Sequence, residues 1–506
     1  MKSHPRPPEP QEVELKLSLP GANTAELAKR LGKLPWLARR KATRQSLHTT
    51  YFDTVDQQLR QRKAALRLRR IGNGVNPQWL QTLKTSAADD SALSRRGEWE
   101  TTVPSAALSL PALNSTPWIQ MDPQGHLFGS LAPCFVTDFE RTSWLLTRPD
   151  GSVVELALDI GHIDANGRQA PICEIELELK SGQAAALFEV AHLIASTVAV
   201  LPANQSKAER GFLLAQDSLD QPTRANPRPF GQALSKIGLA QQVLREMFAQ
   251  FTNNLNALRS SDDPELVHQA RVGWRRFKSA LRLLKKLPEI AGAPAWPELQ
   301  ALLSFLGELR NLEVALNETL PALASGYCQC DKQRAESWLA MLSSLTQAAV
   351  LQRKAVRYAM QEPGVGVNLL VITEWLENLS ASVNDVPINR RLLRQWAKRR
   401  ILRLNKRLAT AQQTSDTPAQ QHRVRIHAKR LRYGVNALRD LLPERIADFC
   451  SENAAILQTN IGAKRDLLQA SVLVATLASN PGLVDYLRGV VVGAGLTDAN
   501  GLPASK

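Results

Sequence analysis

Residues 12–16 read Glu-Val-Glu-Leu-Lys, and this run restricts the folds open to the chain more than any other. A β-strand sends alternate side chains to opposite faces. Glu12, Glu14 and Lys16 therefore share one face, while Val13, Leu15 and Leu17 share the other. One such row is ordinarily a solvated face. Here it recurs. Arg67 and Arg69 lie opposite Leu66 and Leu68, and Thr82 and Lys84 share a face. Arg96, Glu98 and Glu100 lie opposite Trp99; Glu155 and Asp159 lie opposite Val154, Leu156 and Leu158; Glu174, Glu176 and Glu178 lie opposite Ile175, Leu177 and Leu179. So many paired rows predict a sheet curved until the charged rows line an interior.

Enclosed charges must be paired or bind an ion. The rows supply two sets. The carboxylates are Glu12, Glu14, Asp159, Glu174 and Glu176; the cations are Lys16, Arg67, Arg69, Lys84, Arg141 and Lys207. Crowded carboxylates require a hard divalent cation, Mg²⁺ or Mn²⁺. Crowded cations require an anion with several phosphates. Together they describe a tunnel for a metal-bound triphosphate. The chain has no G-x-S-x-G elbow, P-loop or Cys/His nucleophile pattern, so a covalent route lacks a carrier. His48 and Tyr51 read as packing residues, and the inward positions show no obvious aromatic cluster.

At 506 residues the chain is too long for one hydrophobic core. Residues 11–217 read as eight short strands: Val13–Leu19, Ser46–Phe52, Ala65–Arg70, Trp79–Thr85, Glu98–Val103, Val136–Thr147, Val153–Ile160 and Ile172–Leu179. Turn signals such as Asn166-Gly167 separate them. Two helices, Ala22–Arg30 and Gly182–Val200, accompany them. The expected fold is a closed eight-stranded antiparallel barrel with flanking helices. Pro222, Pro227 and Pro229 mark a linker at 218–231. Beyond it the period becomes 3.6, and residues 232–493 read as an all-α bundle of two related units. Its helices are expected at Ala233–Leu258, Pro264–Leu287, Trp296–Leu323, Lys332–Glu362, Leu369–Leu379, Arg390–Ala411, Ala419–Leu442 and Glu444–Ser479. Residues 1–10 and 494–506 read as a disordered N-terminus and a C-terminal tail.

The ordered set Glu12-x-Glu14-x-Lys16, His48-Thr-Thr-Tyr-Phe-Asp-Thr54, Leu66-Arg-Leu-Arg69, Thr82-Leu-Lys84 and Glu174-Ile-Glu-Leu-Glu178 resembles the CYTH domain of triphosphate tunnel metalloenzymes. The resemblance implies an inorganic triphosphatase. It implies that Glu12, Glu14, Asp159, Glu174 and Glu176 bind metal. It also implies that Lys16, Arg67, Arg69, Lys84, Arg141 and Lys207 hold phosphates, with Glu12, Glu14, Lys16, Lys84 and Glu176 as the catalytic set. Arg96, Glu98 and Glu100 fall at tunnel positions whose roles vary in that family.

The net charge of +16 is uneven. Residues 1–217 carry +2 and residues 218–506 carry +14, so the helical half seeks a polyanion. Basic residues recur at i, i+3, i+4 and i+7, placing them on one face of each helix. His268-Gln-Ala-Arg271 followed by Arg275-Arg276 matches His427-Ala-Lys429-Arg430 followed by Arg432, and each leads to a Gly: Leu306-Gly307…Arg310 and Ile461-Gly462…Arg465-Asp466. These residues resemble the conserved-histidine helical (CHAD) domain, with Asn311 where that family usually has Asp. The resemblance implies binding of inorganic polyphosphate through His268, Arg271, Arg275, Arg276, His427, Lys429, Arg430 and Arg432.

Nucleic acid is not expected as a partner, since no helix-turn-helix, RRM or zinc-finger signature is present. Five cysteines form no even framework, and the Cys328–Cys330 spacing is too short for a zinc pair. With a Pro-rich start, no apolar signal region and no uncharged run of membrane length, the expectation is a cytoplasmic protein associated with polyphosphate granules. Two other functions fit the same residues: a class IV-type adenylyl cyclase, and a non-catalytic polyphosphate-binding or granule protein.

Overall fold

The alternating segments form strands that close on themselves. The computed structural model describes residues 10–493 apart from residues 22, 73, 75–76, 87–90, 232–233, 330, 380–386, 414–416 and 478–479; side chains at residues 418, 422 and 458–464 also lie outside the description. The expectations for Cys330, for Ile461-Gly462 and for both chain ends therefore lie outside the described residues.

The strands are β1 (Gln11–Ser18), β2 (Thr43–Asp53), β3 (Ala64–Ile71), β4 (Gln78–Ser86), β5 (Leu93–Val103), β6 (Ala132–Thr147), β7 (Val153–Ala165) and β8 (Arg168–Ser181), with a short β9 (Leu201–Pro202) beside β1. Their order is β5-β4-β3-β2-β6-β7-β8-β1, every neighbour is antiparallel, and β1 pairs back onto β5 from Gln11↔Gly97 to Leu15↔Leu93. The barrel is closed. Its closing seam uses the first half of β5, which begins five residues before the Glu98 expected from sequence. Arg95-Arg96-Gly97 carries little strand propensity, and the pairing with β1 overrides it. Asn166-Gly167 makes the β7–β8 hairpin with both residues at positive φ, +52° and +76°, as a two-residue primed turn requires.

In the first half, α1 (Thr24–Gly32), α2 (Gln58–Gln61), α3 (Trp118–Met121), α4 (His126–Gly129), α5 (Ala185–Ala195) and α6 (Lys207–Ala215) cover the barrel. The outward rows of β1, β7 and β8 pack Leu15, Leu17, Leu156, Leu158, Ile175 and Leu177 against Leu27 and Leu31 of α1 and Leu187, Val190 and Ile194 of α5. Burying each such side chain stabilises the fold by about 1.5–3 kcal/mol. The β3–β4 exterior packs Leu66 and Leu83 on Leu59, Trp118 and Leu127. Helix α6 lies against one end of the barrel, where Phe212 joins Tyr51, Phe135 and Phe139. It approaches so closely that a Cβ at Gly211 would lie 2.1 Å from the Phe135 ring. Both faces of β1 are thus buried, the apolar face by helices and the charged face by the barrel itself.

The second half is helical: α7 (Lys236–Ala257), α8 (Pro264–Leu284), α9 (Pro288–Ala291), α10 (Gln300–Val314), α11 (Ala324–Cys328), α12 (Lys332–Ala359), α13 (Pro363–Asn378), α14 (Arg390–Gln412), α15 (Pro418–Leu438), α16 (Glu444–Leu477) and α17 (Pro481–Gly493). The single helix expected over Trp296–Leu323 is instead a 3₁₀ turn at Pro297–Leu299, then α10, a π turn at Ala315–Thr319 and a 3₁₀ turn at Pro321–Leu323. Pro321 has no N–H to continue the ladder. The chain divides into two units: Met1–Gln221 with Met360–Glu374, and Pro222–Ala359 with Trp375–Lys506. In the first unit Leu370 joins the outer apolar cluster, and the His192 Nε2 and Glu374 Oε2 atoms are 2.9 Å apart. Among the described residues no helix is long and apolar enough to cross a membrane.

Candidate active site

Register brings the charged rows together. Arg141 lies opposite Asp159, Asp159 opposite Glu174, and Lys16 opposite Glu176 across β6, β7, β8 and β1. Such cross-strand neighbours have Cβ atoms about 5 Å apart. Asp159, Glu174 and Glu176 each offer an oxygen within 4.8 Å of the others. Three cations converge on this trio. Lys207 Nζ, on the first residue of α6, lies 2.6 Å from Asp159, 2.5 Å from Glu174 and 2.9 Å from Glu176. Arg141 donates to both Asp159 oxygens at 2.8 and 2.7 Å and to Glu176 at 2.6 Å. Lys16 Nζ donates to Glu176 at 2.5 Å and lies 3.6 Å from Glu14 and 3.7 Å from Glu174.

Burial alone would raise the Glu176 carboxyl, but Lys16, Lys207 and Arg141 outweigh it and hold the group well below the usual carboxylate range. Asp159 behaves alike: burial opposes ionisation, and Arg141 and Lys207 prevail. Lys16 and Lys207 are held above ordinary lysine basicity, since the surrounding carboxylates outweigh burial. These acids remain acceptors at neutral pH. Three carboxyl groups offering oxygen donors in a buried cluster suit a hard divalent cation, so the residues fit the ion that the sequence implies.

Glu12 and Glu14 continue this set along the wall, with Glu14 joined to the trio by Lys16. Glu12 accepts from Lys84 at 3.0 and 2.8 Å and from Arg96 at 2.8 Å, and Glu14 pairs with Arg96 and lies near Ser94. Lys84 also lies 3.0 Å from Glu98. Farther along β8, Lys180 pairs with Glu178 at 2.7 Å and with Glu155 at 2.9 Å.

Another stretch of wall is predominantly basic. Arg69 is buried and donates to the Thr49 hydroxyl at 3.1 Å. Burial first, then Arg67 and Arg141, push its guanidinium down to about 10. Arg67 donates to Glu98 at 3.3 Å, while its Nε is buried without a hydrogen-bond partner. A buried cation with an unmet donor fits an anionic ligand.

The structure adds a neighbour to one expectation, for Tyr51, and corrects two, for His48 and for the inward aromatic residues. Tyr51 does pack, stacking on Phe135 at 4.6 Å, but its hydroxyl also faces the basic wall. Burial would raise it, yet Arg67 and Arg69 bring it below ordinary tyrosine acidity. His48 lies on the outer face, with Nδ1 3.0 Å from Asp138. An inward aromatic cluster also exists. Phe135 and Phe139 share one face of β6 and meet Tyr51 of β2 and Phe212 of α6, so the β6 pair is legible in sequence but its meeting with the other two is not. Arg69, Arg141 and Lys207 lie 6.0, 5.9 and 5.1 Å from the Phe139 ring centre. The four rings are buried and pack on one another.

In the helical unit, the basic residues separate into those that share a charge cluster and one that does not. Arg276 is buried, donating to Glu246 at 3.0 and 2.9 Å and to Gln250 at 2.5 Å. It fastens α8 to α7 and is removed from the expected polyanion contacts, because on α8 it falls on the apolar stripe with Gly273 and Phe277. His268, Arg271, Arg275, His427, Lys429 and Arg430 have basic neighbours, and Arg432 is exposed. Arg271 is pushed down to about 10 by burial, then by Arg275, Arg310 and Arg465. His268 is lowered by burial and by Arg310, and His427 by burial and then Arg430 and Arg407.

Comparison with known proteins accounts for both units. The CYTH domain family matches residues 10–212, and the CHAD domain family matches residues 242–475. The chain is a CYTH domain joined to a CHAD domain. The CYTH part is 34% identical over 210 residues to an inorganic triphosphatase of Haemophilus influenzae, a match covering 40% of this chain and 55% of that relative. The chain thus spans little more than half the length of the curated relative. A CHAD domain structure from Ricinus communis aligns at 24% identity and TM-score 0.46, covering 56% of this chain and 97% of the other. A putative adenylyl cyclase from Hippeastrum, described as having a dominant triphosphatase activity, aligns at 18% identity and TM-score 0.30, covering 41% and 96%.

Within the CYTH domain, sequence reasoning left Arg96 without a role. It ties Glu12 to Glu14 across the closing seam. The signal was the register of β1 on β5, which no single strand reveals.

Proposed function

We propose that the CYTH domain hydrolyses inorganic triphosphate to diphosphate and phosphate with Mg²⁺ or Mn²⁺, and that the CHAD domain binds inorganic polyphosphate. The observation that carries the first part is the buried Asp159–Glu174–Glu176 trio interleaved with Lys16, Arg141 and Lys207. Asp159, Glu174 and Glu176 are the residues to hold a divalent ion. When bound, that ion would polarise the phosphoanhydride and stabilise the leaving group. Lys16, Arg141 and Lys207 can neutralise non-bridging oxygens beside it, and Arg67, Arg69 and Lys84 can hold the rest of the chain. Water then attacks the terminal phosphorus in line and gives up a proton to solvent as its oxygen bonds, the anhydride P–O bond breaks, and diphosphate leaves with the bonding electrons. Glu12 and Glu14 keep Lys84 and Arg96 oriented along the wall.

The rings around Phe139 are buried against one another, which supports a substrate without a base. The inorganic triphosphatase similarity supports the same choice. For the CHAD domain, the support is the mutual repulsion of its half-buried cations, which an oligophosphate would relieve. The test is phosphate release from triphosphate, ATP and polyphosphate with either metal, beside polyphosphate binding by the full chain. Triphosphate is expected to be cleaved fastest. No release from any of the three would refute the enzyme, and cyclic AMP from ATP would replace it with a cyclase.

A further inference from the structure

The barrel unit includes a segment from far along the chain, Met360–Glu374, which carries most of α13. This segment lies on the elements that present two of the tunnel cations. Gln361 rests on Gly21, just past β1, where an added Cβ would clash with the Gln361 side chain. Gly366 rests on Val200, just before β9, where an added Cβ would stand 2.4 Å from the Val200 carbonyl oxygen and 3.3 Å from its nitrogen. Leu370 joins Leu19, Ile194 and Val200 in the outer apolar cluster, and Glu374 meets His192 of α5.

Val200 opens the stretch that ends at Lys207. Strand β9 is two residues long and sets Pro202 against Leu17 and Leu201 against Ser18. Ala203 N donates to the Lys16 carbonyl oxygen at 3.0 Å, while Pro202 has no N–H to add. Ser206 then caps α6, its hydroxyl accepting from Glu209 N at 3.1 Å, and Lys207 is the first helical residue. So short a pairing leaves the stretch dependent on what packs behind it. A glycine inside a helix weakens that helix relative to alanine, and at position 366 the approach to the Val200 backbone requires one.

Building on the triphosphate-cleavage reading above, we propose that Gly366 is a positioning residue for Lys207. The close approach of α13 to Val200 fixes the β9 stretch and thereby places the Lys207 ammonium among Asp159, Glu174 and Glu176. Ordinary contact begins at 3.4 Å, so a Cβ at position 366, at 2.4 Å, would drive helix and stretch apart by about 1 Å. The Lys207 ammonium lies between 2.5 and 2.9 Å from its three carboxylates, and a shift of that size breaks those pairs.

The experiment is a double-mutant cycle in the full chain with Gly366→Ala and Lys207→Met, read in two ways. In chelator, calorimetry gives the melting shift that Lys207→Met causes in each background. The shift should be about 10 °C in the wild type and less than half of that in Gly366→Ala, where Lys207 has already left the carboxylates. With Mg²⁺, Gly366→Ala should lower kcat/KM for triphosphate about a hundredfold, the cost of misplacing a reacting group by about 1 Å. Leu370→Ala loosens the same helix without adding an atom, and it replaces Gly366→Ala in the cycle if circular dichroism shows that protein unfolded. Melting shifts that simply add, as they do for independent sites, or wild-type kcat/KM in Gly366→Ala, would overturn the inference. A wild-type protein that releases no phosphate would remove the cleavage reading, and the melting cycle in chelator would still decide whether Gly366 places Lys207.

Discussion

Replacing Lys207 with methionine tests the tunnel at its centre. Lys207 is 5% exposed and lies within 2.9 Å of three carboxylates that are themselves within 4.8 Å of one another. At an effective dielectric constant of about 20, one pair at this distance is worth about 6 kcal/mol before desolvation. The net cost of removing one partner from a buried ionic cluster is about 3–5 kcal/mol, because the remaining charges stay buried. For a unit of this size that lowers the melting temperature by about 10 °C. The assay is calorimetry of the barrel transition in chelator and again in excess Mg²⁺. Lys207→Met should melt about 10 °C below wild type in chelator, and Mg²⁺ should stabilise the variant more than the wild type, since a divalent ion replaces the missing positive charge. A variant as stable as wild type in chelator, or one that Mg²⁺ stabilises no more than wild type, would refute the buried-cluster account.

Further outcomes follow from the same geometry. Glu14→Ala and Glu176→Ala should each abolish phosphate release from triphosphate while circular dichroism reports a folded chain; near-normal turnover in either would reject its place in the site. Arg430→Ala combined with Arg432→Ala should weaken polyphosphate binding and leave triphosphate cleavage intact, and equal loss of both would mean one shared site. In the helical unit, burial pushes the Glu313 carboxyl up to about 7 despite its 2.7 Å pair with Arg353. Its folded value lies above its unfolded one, so the unit should lose about 3 kcal/mol as pH rises from about 4.5 through 7. Urea denaturation across that range should show this decline in wild type and a flatter profile in Glu313→Gln; identical profiles would refute it.

The tunnel was legible because a strand's period of two is a local property. Glu12, Glu14 and Lys16 must share a face whatever the rest of the chain does, and the same holds for Arg67 with Arg69 and for Glu174 with Glu176. The helical half was legible for a similar reason, since a 3.6-residue period and Pro breaks are local too. Arg276 shows the limit: its spacing fits a basic stripe, yet its neighbours on α7 supply Glu246 and Gln250 and draw it inward.

The chain itself therefore determined which residues carry charge, which face of each strand they occupy, and that the charged faces needed enclosure. Only the tertiary structure decided who meets whom. It gathered Asp159, Glu174 and Glu176, joined Glu14 to them through Lys16, tied Arg96 across the seam and brought Tyr51 to Arg67. Those outcomes depend on strand register and helix packing between segments far apart in sequence, where no local periodicity reaches.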